Sequence, residues 1–396
     1  MPTTDNIPTL RLKKNEERRL LTGHSWVFSN EIHDSLQGIE PGLLVRVISW
    51  QGRFLGVGHL NPHSLISIRL LSRRQVNIDR DFLKSRLLAA LARRRRFLPD
   101  AQVLRLVFSE GDFLPGLIVD YYASHVVLQT LTQGMSRLES TLLDVLQEVL
   151  RPASITVRND APARLLEDLP LEKGVARGRL PDDLRVDIHG LSLHVDLLNG
   201  QKTGLFLDQR ENWLLVDRVA AAARVLDGCC YQGAWALHAA RCGAREVVGV
   251  DVSAQALEGA RLNAAQNGLV HCCRFERQDI FAFLADTEER FDLIILDPPA
   301  FVKTKARLVQ GEQGYVNLNR RAMKLLPPEG LLISCSCSHH LSSERFRKVL
   351  VRAARAAGKQ LRLLGMFTQA RDHPILLGHP ESEYLKCAFL QVLQPM

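Results

Sequence analysis

Four short apolar runs, ARVLDGCC, EVVGVDVS, FDLIILDPP and GLLISCSCS, recur between residues 223 and 338, with helix-length stretches between them. Strands this uniformly apolar are covered on both faces, and parallel strands need crossovers long enough to hold a helix. The pattern prescribes a doubly wound α/β domain, with helices expected over residues 234–241, 254–267, 315–326 and 342–357. Two later runs, LRLLGMF and YLKCAFLQVL, can close the sheet as an antiparallel pair.

Upstream the character differs. Residues 1–75 alternate apolar and polar positions and are punctuated by Pro41-Gly42, Gln51-Gly52 and Asn61-Pro62, which reads as a small β-rich barrel. Next comes a helix near residues 76–98, then three strands (VLRLVFSE, LPGLIVDYY, HVVLQTL), an amphipathic helix (MSRLESTLLDVLQEVL) and a strand (SITVRND). The expected division is 1–75, an α+β middle domain over 76–185, and the α/β domain over 186–396.

Charge is placed unevenly. The first 100 residues hold 17 Lys and Arg against 9 Asp and Glu, and the remaining 296 hold 34 of each, so the net +8 resides in the first quarter. That suits docking on a polyanion. The run Arg93–Arg96 falls in a helix, where four consecutive charges fan around the axis and form no single patch. No apolar run approaches the roughly 18 residues of a membrane span, and the N-terminus lacks the apolar core of a secretory signal. A cytoplasmic protein without membrane contact is expected. The eight cysteines, at 229, 230, 242, 272, 273, 335, 337 and 387, form no CxxC pair, so neither a disulfide framework nor a metal site is expected.

In a doubly wound sheet, ligands bind at the carboxyl ends of the strands. Asp227-Gly228-Cys229-Cys230-Tyr231-Gln232-Gly233 joins a strand to a helix, where a nucleotide-like ligand needs close backbone approach. Asp251 ends the next strand, 24 residues on, and suits two ribose hydroxyls; Asp279 follows the third strand and can meet an adenine amino group. No G-x-G-x-x-G fingerprint is present, which disfavours nicotinamide chemistry.

Asp297-Pro298-Pro299-Ala300-Phe301 ends one strand and Ser334-Cys335-Ser336-Cys337-Ser338 ends the next, so both should face one crevice. Similar (D/N)PP motifs occur in enzymes that methylate base nitrogens, whose lone pairs attack a methyl sulfonium directly. Carbon 5 of a pyrimidine is a poor nucleophile. A thiolate adding to carbon 6 moves electron density onto carbon 5, so a cysteine opposite the DPP rim is what such a route requires.

The combination VLDGCCYQG, VVGVD, LDPPAFVKTK, GYVNLN and LLISCSCS, preceded by NGQKTGLFLDQREN and followed by QARDHPILLGHPESEYLKCAFLQVL, resembles the bacterial RlmI-type 23S ribosomal RNA large-subunit cytosine-5 methyltransferases over nearly the whole chain. The resemblance implies an N-terminal PUA domain, a middle domain and a class I, Rossmann-like methyltransferase domain that uses S-adenosylmethionine. It implies cofactor contacts from Asp227, Tyr231, Gly233, Asp251, Asp279 and Asp297, and from Gln201, Lys202, Thr203, Phe206 and Asp208. It places Asp297 on the target base in a pocket shaped by Pro298, Pro299 and Phe301, with Cys335 as nucleophile. Cys337 falls where the family has another residue, and His339-His340 replaces a small residue and a Leu-Met pair. The implied partner is 23S ribosomal RNA, and the resemblance admits a homodimer. The rival readings are uracil-5 methylation, base-nitrogen methylation with a structural Cys335, and a non-catalytic RNA-binding assembly factor.

Overall fold

A computed structural model describes residues 7–394. The outermost residues of the expected first and last domains, 1–6 and 395–396, lie outside the described residues. Two compact units result. The first takes the described chain up to Val186 together with Val195–Leu207 and Arg371–Ser382; the second holds Asp187–His194, Asp208–Ala370 and the chain from Glu383 onward.

The second unit follows the apolar series. Its elements are β1 (Arg224–Gly228), α1 (Ala234–Arg241), β2 (Glu246–Asp251), α2 (Ala254–Gln266), β3 (Cys273–Arg277), α3 (Ile280–Asp286), β4 (Leu293–Leu296), α4 (Leu308–Leu325), β5 (Leu331–Ser336), α5 (Ser343–Ala357), β6 (Leu361–Phe367) and β7 (Lys386–Val392). The strands lie in the order 3-2-1-4-5-7-6. β1 to β5 are parallel, while β7 runs antiparallel to both β5 and β6, as the last two runs suggested. The order reverses between β1 and β4, so a crevice opens beyond their carboxyl ends.

Local chemistry explains where the helices start. Ser253 and Ser342 cap α2 and α5 by accepting the backbone N–H of Ala256 and Arg345. α4 begins seven residues before the expected 315, because Gly311 and Gly314 interrupt its apolar pattern. The glycine at 311 has a packing reason. A Cβ there would stand 2.4 Å from Val302 Cγ2, so only glycine lets α4 lie against the loop that leaves β4.

The first unit contains two five-stranded sheets. One joins Thr9–Arg11, Leu44–Ile48, Phe54–Leu60, Ile68–Ser72 and Trp26–Val27, the β-rich module expected from the alternating N-terminal sequence. The other runs Glu172–Gly178, Ser154–Asn159, His125–Thr130, Leu117–Tyr122, Val103–Phe108. Its strand Glu172–Gly178, EKGVARG, was not foreseen: it is largely exposed and carries two glycines, so it shows no alternation.

The expected single boundary near residue 186 is crossed again, because residues 195–207 and 371–382 are built into the first unit. Buried polar groups hold them. Arg94 is 2% exposed; it pairs with Asp112, and its Nη2 also donates to the Asp372 carbonyl at 2.7 Å. Arg105 clasps Asp120 through two bonds of 2.8 and 2.7 Å, its backbone N–H donates to Asp372 Oδ2, and Thr203 donates its hydroxyl to Asp120. The basic surplus is thereby reduced: Arg93 and Arg94 are taken by Asp112, Arg69 by Glu167, and Arg80 with Lys84 by Glu148.

No described helix is long and apolar enough to cross a membrane. Among the described residues, His24, His379 and Glu381 alone have metal-ligand spacing. The Trp26 N–H donates to His24 Nδ1, so the ring proton sits on Nε2 and donates to Glu381, which leaves that nitrogen no lone pair for a metal.

Candidate active site

The turn after β1 is held in an uncommon backbone conformation. Cys229, Tyr231 and Gly233 have φ of 65°, 50° and 79°, and two of these three are not glycine. Such strain persists only where surrounding contacts impose it. Here Cys229 and Cys230 both donate backbone N–H groups to the Val250 carbonyl, and Tyr231 N–H donates to Asp251 Oδ2 at 2.9 Å. The turn is thus strapped to the end of β2.

Four carboxylates surround this turn. Asp227, Asp251, Asp279 and Asp297 all act on Cys229, whose thiol is pushed well up, first by burial and then by these charges. Asp227 is fully buried; its Oδ2 accepts the Ala236 N–H at 3.0 Å, and its Oδ1 has no hydrogen-bond partner. Burial, followed by the nearby Asp297 and Asp251, pushes it up to about 8. Asp279 spends one oxygen, Oδ1, on capping α3 through Phe281 and Ala282. A negative crevice with an orphaned buried carboxyl oxygen fits a cationic ligand carrying a sulfonium and an ammonium.

The raised Asp227 value has a testable consequence. An acid whose folded value lies above its unfolded one stabilises the fold fully at low pH, and that contribution is lost as pH rises through the folded value. The ligand-free protein should therefore lose about 1 kcal/mol between pH 7 and pH 9. Thermal melts across that range should show the loss, and Asp227→Asn should flatten it. Parallel curves for the two proteins would refute this role.

The DPP loop and the end of β5 form one hydrogen-bonded piece. Asp297 Oδ2 accepts Gln209 Nε2 at 2.9 Å and Trp235 Nε1 at 3.4 Å. Ser336 donates to the Tyr315 hydroxyl, which bonds Ser338 Oγ at 3.0 Å, and Ser338 Oγ accepts the Val302 N–H. Phe301 packs on Tyr315 with ring centroids 4.5 Å apart. Pro298 is buried and Pro299 exposed.

The two cysteines differ sharply. Cys335 lies within β5, is 0% exposed, and faces Cys387 directly across the β5–β7 pair. Burial raises its thiol first, Cys387 and Asp297 raise it further, and a bond with Gln209 opposes them. This burial disfavours the Cys335 thiolate. Cys337, ranked second from sequence, is half-buried one residue beyond the strand end.

The structure also brings in groups that motif reading missed. Gln209 bridges Asp297 and Cys335, and Asn212 Nδ2 holds its other amide atom at 2.7 Å. Tyr384 donates to Asp208 Oδ2 at 2.7 Å, and His339 stacks on it. Of the remaining predicted residues, Gln201, Lys202, Thr203 and Phe206 belong to the first unit, with Gln201 and Lys202 exposed and Thr203 buried. Gln209 stood inside the quoted NGQKTGLFLDQREN stretch, whereas Tyr384 and Lys386 were read only as strand residues.

The strand order, the strapped turn and the acidic crevice define a class I S-adenosylmethionine-dependent methyltransferase. Residues 180–363 match the S-adenosylmethionine-dependent methyltransferase family, and residues 10–73 match the PUA-like domain. Over 388 residues the chain is 39% identical to "Ribosomal RNA large subunit methyltransferase I" of Tolumonas auensis, covering 96% of this chain and 98% of the relative. It belongs to that family, and its cofactor is S-adenosylmethionine. Two solved chains share the fold at 20% identity, each covering 98% of this chain and 100% of its own length. One, described as a methyltransferase complexed with SAH, has a TM-score of 0.86; the other, an S-adenosylmethionine-dependent methyltransferase from Streptococcus mutans, has 0.84.

Proposed function

We propose that this protein methylates carbon 5 of a cytosine in 23S ribosomal RNA, in the cytoplasm, through a covalent cysteine adduct. The observation that carries the reading is a half-buried thiol and a DPP carboxylate ending neighbouring strands, Cys337 beyond β5 and Asp297 after β4, with the loop after β4 tied at Val302 to the end of β5 through Ser336, Tyr315 and Ser338.

The cofactor, when bound, supplies an electrophilic methyl on a sulfonium. Asp251 takes the ribose hydroxyls and Asp279 the adenine amino group. Asp227, Tyr231 and Gly233 form the floor of that site, and Asp208 lines it by family resemblance. For Gln201, Lys202, Thr203 and Phe206 the support is family resemblance. Asp297, oriented by Gln209 and Trp235, accepts from the polar edge of the base. Pro298, Pro299 and Phe301 shape the pocket.

Cys337 is the nucleophile of this proposal, and the buried Cys335, favoured by the sequence pattern, supports it from within. The Cys337 thiolate forms a bond to carbon 6, and carbon 5 gains the density to take the methyl group. A base then removes the carbon 5 proton, the sulfur–carbon bond breaks, and the thiolate is regenerated. The β-rich N-terminal module and its basic surplus support docking on RNA.

Nucleoside mass spectrometry of ribosomal RNA from a strain lacking the gene tests the reading. One 5-methylcytidine should disappear from 23S RNA and return on complementation. Loss of a 5-methyluridine or of a nitrogen-methylated base would replace it with a rival.

A further inference from the structure

Lys386 opens β7 and sits opposite Ser336 in the β5–β7 register. It is 3% exposed. Its Nζ donates to two backbone carbonyls, those of Ser338 and Tyr384, each at 2.7 Å. Among the described residues no carboxylate comes within ion-pair distance of it. An ammonium buried on two carbonyls alone is costly, and such groups persist where they have a task. Ser338 directly follows Cys337, so the ammonium is anchored on the backbone next to that residue, and the two side-chain charges act on each other.

We propose that Lys386 is the positioning residue that holds Cys337 as a thiolate: the thiol proton leaves to solvent, and the Nζ ammonium, already anchored on the two carbonyls, balances the charge of the sulfur until it attacks. This deepens the covalent reading above and rests on it. Burial lowers Lys386 to about 8, while the Cys337 and Glu383 charges favour its ammonium; by reciprocity that ammonium favours the thiolate. The other titratable groups acting on the pair are Glu383, three residues before Lys386, and Tyr315 on α4; Cys335 and Cys387 lie on the opposite face of the sheet. Tyr384, which supplies one carbonyl, is itself fixed through its hydroxyl to Asp208. When the sulfur leaves carbon 6, the same ammonium receives it again as thiolate.

The test is the pH dependence of Cys337 alkylation by iodoacetamide in the intact chain, read peptide by peptide by mass spectrometry. In the unaltered protein Cys337 should react at pH 7 as a thiolate. In K386Q its rate at pH 7 should fall on the order of tenfold, the equivalent of about one pH unit of midpoint. K386R, which keeps the charge, should retain most of the rate. S-adenosylmethionine binding serves as the folding control. An unshifted profile in a folded K386Q overturns the proposal. So does a midpoint in the unaltered chain at or above the ordinary thiol value of about 8.5, whether or not K386Q folds. Methylation by Cys337→Ala would sink the covalent reading instead, and leaves the alkylation result to judge the pair by itself.

Discussion

Cys337→Ala is expected to abolish methyl transfer, by roughly 10⁴-fold or more, as removal of a covalent nucleophile does. S-adenosylmethionine affinity should stay the same, because the strapped turn and the carboxylates around it do not depend on that sulfur. Cys335→Ala, by contrast, removes a small buried group inside β5 and should keep activity within about tenfold, at a modest stability cost. Methyl incorporation into RNA, with calorimetry of cofactor binding alongside, separates the two. A dead Cys335→Ala beside an active Cys337→Ala would return the nucleophile to the position the sequence favoured. Activity in both would leave direct attack by a base nitrogen as the chemistry.

Asp112→Ala carries the largest expected effect on stability, about 3–5 kcal/mol. Asp112 is 2% exposed and is the counter-charge of the wholly buried Arg94, which it meets with both oxygens; it also accepts the Phe108 N–H at 2.6 Å. Truncating it leaves a guanidinium uncompensated in the interior, which costs far more than the net worth of the pair. Replacing both partners together, Asp112→Leu with Arg94→Met, should cost much less. Denaturant midpoints of the single and double variants check this. Equal losses would mean that the pair contributes through packing instead of charge.

The α/β domain was legible because buried parallel strands leave apolar runs that nothing else in a sequence mimics. The carboxylates at or just past the ends of β1, β2, β3 and β4 were legible for the same reason: strand ends locate them. What escaped was set by contacts distant in the chain. The different surroundings of Cys335 and Cys337 come from residues over 45 positions away: Cys387 pairs with Cys335 across the sheet, and Lys386 bonds the carbonyl of Ser338. The start of α4 was hidden because Gly311 serves packing against Val302, which no local propensity reports. The strand Glu172–Gly178 pairs antiparallel with Ser154–Asn159 and buries too little to leave a pattern.

The return of residues 195–207 and 371–382 to the first unit bears on how the chain is made. During synthesis the sheets of that unit emerge first, but Arg94 and Arg105 wait for Asp372, and Asp120 waits for Thr203. At ordinary translation speeds of about 5–20 residues per second, roughly 10–40 s separate Val186 from Ser382. For that interval the nascent first unit lacks buried polar partners, and an N-terminal fragment ending near residue 186 lacks them permanently. Unaided folding should therefore be least secure in the half of the chain that is translated first.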